Sequence, residues 1–101
     1  MNETITYEQA FNQIADQMKA LYSKKNQDYG NSFASTWKRL GPISGLTRMS
    51  DKFNRLCNLM TSKVAPSVED ESIEDTLVDL ACYSIMSLIE MQNAKGKITI
   101  K

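Results

Sequence analysis

The chain has 101 residues, 42% hydrophobic and 24% charged, with 12 basic and 12 acidic side chains and a pI near 6.2. That size suits one soluble domain spanning 1–101, and the balanced charge argues against a protein that coats nucleic acid by bulk electrostatics. No histidine is present, which excludes imidazole general bases and Cys-His or Ser-His nucleophiles and leaves any chemistry to carboxylates or a metal.

The first helix is announced by Thr6 and Gln9, the spacing of a capping box in which each side chain satisfies a backbone N–H of the helix start. Phe11, Ile14, Met18 and Leu21 follow at helical intervals, so a helix is expected over about 7–25. The stretch KKNQDYGNSF then ends one helix and starts another: Gly30 is suited to a left-handed closing turn, and Asn31 or Ser32 to a cap. A short second helix over 33–40 would bury Phe33, Trp37 and Leu40. Gly41-Pro42 stops it, because proline restricts the residue before it and lacks an amide donor.

A third helix is expected from about Ser44, with Leu46, Met49, Phe53, Leu56 and Met60 as its apolar face. Residues 62–70, with Pro66, read as a loop. The fourth helix should begin at Ser67 or Ser72, run to about Asn93 and end at Gly96. Its apolar residues cover most of its circumference, the mark of a helix packed on several sides. ITI at the end alternates like a strand, but a lone short strand is marginal, so an extended tail is expected. The fold class is therefore all-α, four helices with the third and fourth side by side.

Two polar stripes stand out. In LTRMSDKFNRL, the residues Arg48, Asp51, Lys52 and Arg55 fall at i, i+3, i+4 and i+7, a charged ridge expected on the side away from the apolar face. In the fourth helix Glu71, Asp75 and Asp79 lie one turn apart, and Tyr83 extends the line. Like charges at that spacing repel, and carboxylates beside a core lose hydration, so something positive should face them. Two candidates fit: the cations of the third helix, or a hard divalent ion such as magnesium, which takes oxygen ligands while retaining water and nucleotide phosphates.

Cys57 and Cys82 lie singly within apolar helical patterns, with no CxxC spacing, and read as reduced and mostly packed. No secretory signal and no apolar run of membrane-spanning length is visible, so a cytoplasmic protein without a membrane partner is expected. A short chain with a broadly apolar fourth helix would gain by pairing with copies of itself, and a homo-oligomer is expected.

Taken in order, KNQDYGNSF, LTRMSDKFNRL and DESIEDTLVDLACYSIM resemble the nucleotide-modification-associated domain proteins, which are small and common in bacteriophages and prophages. The resemblance spans about 24–91. That family is in turn distantly similar to the all-α nucleoside triphosphate pyrophosphatases of the MazG and dimeric dUTPase type, in which paired helices hold magnesium with ExxE and ExxD motifs. Here the first pair is reduced to Asp51, with Lys52 and Arg55 where further carboxylates would stand, and Asp75 and Asp79 are four apart rather than three.

The resemblance implies a nucleotide or nucleotide-derived small molecule as ligand, and the departures favour holding phosphates over cutting them. Arg48, Lys52 and Arg55 would grip phosphate, the amides at Asn31, Ser32 and Phe33 would offer a helix N-terminus, and Tyr29, Phe33 or Trp37 would stack on a base. With Gly30, Asp75, Asp79 and Tyr83, these are the candidate ligand residues, and no cofactor is needed. A phage-type protein of this kind could sequester a nucleotide signal on which host defence depends. The enzyme alternative is a magnesium-dependent pyrophosphatase using Asp51, Glu71, Asp75 and Asp79; a further alternative is an interaction module whose charged ridge is structural.

Overall fold

The computed structural model describes residues 4–29, 31–61 and 70–101, with the side chains of all but 28, 29 and 70–72. It is all-α: α1 Tyr7–Tyr29, α2 Ser32–Leu40, α3 Ile43–Thr61 and α4 Asp70–Ala94. The chain divides into two units, Met1–Asn31 and Ser32–Lys101.

The first unit is α1. Its capping box forms reciprocally, with the Gln9 amide donating to Thr6 Oγ1 at 3.1 Å and the Thr6 amide donating to Gln9 Oε1 at 2.9 Å. The Ala10 amide then donates to the Thr6 carbonyl, which opens the helical ladder. Phe11, Ile14 and Leu21 are exposed along this helix.

In the second unit α3 and α4 form an antiparallel hairpin. Gly45 lies against Ser87, Ser84 Oγ donates to Met49 Sδ, Lys52 meets Asp79 and Arg55 meets Thr76, so numbers rise on one helix as they fall on the other. The helices are closest at Gly45, where an added Cβ would lie 2.5 Å from Ser87 Oγ and 2.8 Å from Trp37 Cζ3. Small residues therefore set the approach of α2, α3 and α4 at this end. Gly41, with φ +77°, turns the chain from α2 into α3: its amide donates to the Trp37 carbonyl, and Ser44 returns both its amide and its hydroxyl to the Gly41 carbonyl. At the other terminus Gly96, with φ +75°, ends α4 as expected. Ile98–Ile100 form no strand, and the Ile100 amide reaches back to Asn93 Oδ1.

The packing corrects three expectations. The side of α3 that meets α4 runs through Gly45, Met49, Lys52 and Leu56, so Met49 and Leu56 of the predicted face pack as expected while Leu46, Phe53 and Met60 are exposed. The charged ridge is consequently not turned away from the packed side, because Lys52 is part of it. Leu40, at the last position of α2, is exposed, and Trp37 alone on that helix is buried. Of the loop expected at 62–70, residues 62–69 lie outside the described residues and Asp70 already belongs to α4.

Candidate functional site

The hairpin and α2 build two adjoining groups of side chains. The first is aromatic. The Phe33 ring of α2 sits 5.9 Å, centroid to centroid, from Tyr83 of α4 and 6.0 Å from Trp37, both pairs tilted rather than stacked flat. Phe33 and Tyr83 retain partial exposure, whereas Trp37 is buried against Gly45. Phe33 and Tyr83 thus keep part of their ring surface exposed, and Trp37 backs Phe33.

The second group is charged and begins one turn along α4 from Tyr83. Lys52 Nζ lies 3.0 Å from Asp79 Oδ2, with side-chain exposures of 29% and 24% that put the pair at the protein edge rather than in bulk solvent. The lysine stem packs in the helix contact while its ammonium reaches the carboxylate. Of the two candidates for the positive partner of the acidic line, a cation of α3 is what meets Asp79. One turn further, Arg55 Nε donates to Thr76 Oγ1 at 3.2 Å, and Thr76 is only 2% exposed. Arg48 lies one turn before Lys52 on the same side of α3 and is exposed, as are Asp51 and Asp75.

Phe33, Trp37, Tyr83, Lys52, Asp79 and Arg55 are therefore tied together by direct contacts or one-turn spacing. Asn31 and Ser32 are exposed at the start of α2, and the side chains of Tyr29 and Glu71, with Gly30, lie outside the described residues. Among the described residues no three carboxylates, thiols or imidazoles cluster so as to hold a metal ion. No described helix is long and apolar enough to cross a membrane. Sequence reasoning missed Thr76, Gly45 and Ser87. A threonine, a glycine and a serine within helical patterns carry no signal of a buried crossing, although a glycine inside a strong helix is a known flag for close approach.

The family model described as Nucleotide modification associated domain 1 matches residues 25–91, and the chain belongs to that family. No curated protein and no solved structure matches it.

Proposed function

We propose that this protein binds a nucleotide or nucleotide-derived small molecule on the α2–α3–α4 unit, without a metal. The supporting observation is the adjacency of the Phe33–Tyr83 ring pair to the Lys52–Asp79 and Arg55–Thr76 contacts, flanked by exposed Arg48. A base would lie against the rings and its phosphates against the guanidinium and ammonium groups, where charge-assisted bonds are strongest. The family description, which associates the domain with nucleotide modification, points the same way. Retention without turnover would suit sequestration of a nucleotide signal, including one used in defence of a host cell.

The test is direct. The purified protein is denatured and its supernatant examined by mass spectrometry for a nucleotide, and calorimetry then follows mono-, di- and cyclic nucleotides with and without EDTA. Binding should survive EDTA, and Arg48→Ala should weaken it by about 1.5 to 3 kcal/mol, roughly ten- to over a hundredfold. Asp79→Asn should leave binding intact or tighten it, because a negative charge beside the phosphates is removed. Binding lost in EDTA, with pyrophosphate released in magnesium, would replace this reading with the pyrophosphatase one.

A further inference from the structure

The hairpin carries a second surface that the ligand reading does not use. On α3 the exposed residues Leu46 and Phe53 each follow by one position a residue turned toward α4, Gly45 and Lys52, with exposed Met60 two turns further along; on α4 Leu77 and Leu88 stand in the same relation to Thr76 and Ser87, with Met91 one turn beyond Leu88. One residue turns a helix by about 100°. Because the helices are antiparallel, equal offsets rotate both stripes toward the same side of the hairpin, so they form one continuous face. Arg48, Arg55, Asp75 and Asp79, offset the other way, lie on the opposite side.

This face is 43 to 58% exposed at its six large side chains; Ser50 and Cys57 lie between the large residues of α3, and Ala81 and Ser84 form a small-residue gap between Leu77 and Leu88 on α4. Among the described side chains from Leu46 to Met60 on α3 and from Leu77 to Met91 on α4, none on this stripe is charged. The unit has little interior of its own: the buried hydrophobic residues among those described are Trp37 and Leu56, with no large side chain fully enclosed. At about 100 Å² each, the six side chains offer roughly 600 Å², approaching the ~800 Å² per partner of a stable interface and at the upper end of the largest patch a monomer usually leaves bare.

We infer that this face is covered by the same face of a second copy, two hairpins closing into a four-helix bundle about a twofold axis. The gaps over Ser50, Cys57 and the Ala81–Ser84 pair can receive Leu, Phe and Met side chains of the same face on another copy, as an isologous contact requires. The core missing from one chain is then supplied by the pair. The two charged faces point away from the axis, so each copy keeps an independent ligand site.

Sedimentation of the full chain should show dimers, or assemblies built from them, at tens of micromolar. Phe53→Asp and Leu88→Asp should each raise the dissociation constant at least about a hundredfold, while Arg48→Ala leaves it unchanged. Cys57 is exposed in the single chain and lies within the face, so its alkylation, mapped by peptide mass spectrometry, should slow at least tenfold as concentration rises through the dissociation constant. That measurement on the native chain stands even if the aspartate variants fail to fold. A monomer at these concentrations, a Cys57 rate independent of concentration, or an assembly broken by Phe11→Asp in α1 but not by Phe53→Asp would overturn the inference.

Discussion

Replacing Gly45 with alanine probes the contact that sets the whole second unit. At an exposed helix position this change stabilises by up to about 1 kcal/mol, because glycine loses more backbone freedom on folding. Here the new Cβ would fall 2.5 Å from Ser87 Oγ and 2.8 Å from Trp37 Cζ3, against the 3.4 Å or more of an ordinary contact. The serine hydroxyl can rotate aside, but the indole is held by Phe33 and the backbone of α3, so helices or ring must shift. Overpacking of this sort costs about 1 to 3 kcal/mol, which, set against a propensity gain of up to about 1, leaves a net loss of up to about 2 kcal/mol. Urea titration at fixed protein concentration measures it, and the chain's single tryptophan reports the displaced ring as a red-shifted emission. Ser87→Ala separates the two overlaps: it removes a buried hydroxyl that finds no hydrogen-bond partner among the described residues, and should itself stabilise by about 1 kcal/mol. In that background Gly45→Ala should cost less but still cost something, since the tryptophan overlap remains. A Gly45→Ala protein more stable than wild type, with unchanged emission, would refute the close approach of α2, α3 and α4.

Three further changes test other links. Thr6→Ala should remove about 1 kcal/mol of cap energy from α1, seen as faster amide exchange at the Gln9 amide and in the first turn while the second unit is unaffected. Gly41→Ala should destabilise by about 1 kcal/mol or more in urea, since its φ of +77° disfavours any side chain although the space around it is open. Lys52→Ala should cost about 1 kcal/mol, and the loss should shrink in high salt, because the pair with Asp79 is only partly screened; a salt-independent loss would assign it to the packed stem instead.

Local chemistry was legible in the sequence, and the choice among helix faces was not. The capping box at Thr6 and Gln9, the turn at Gly41 and the end of α4 at Gly96 depend on residues within a few positions of each other, and each forms as read. On α3, two stripes one residue apart both contain apolar side chains. The stripe with more of them, through Leu46, Phe53 and Met60, is the natural choice for burial, but α3 meets α4 through the stripe holding Gly45 and Lys52. That preference is set by close approach across the hairpin to Ser87, a residue 42 positions away, and periodicity within one helix does not register it.

The same displacement explains why the candidate site reads as both structural and functional. Had Lys52 pointed away from α4, Asp79 would have lacked the ammonium that now lies beside it. Turned inward, Lys52 meets the carboxylate at 3.0 Å, and the helix pair carries a near-neutral contact in place of an acidic one. Phosphate approaching that point must share the ammonium with Asp79, so the pull on an anion comes less from Lys52 than from Arg48, which is exposed on the same side and one turn away. Arg55 is tied to α4 by the bond from its Nε to Thr76 Oγ1. The arrangement therefore assigns the cations separate tasks: Lys52 neutralises, Arg55 ties α3 to α4, and Arg48 is the group whose removal should affect ligand and not fold.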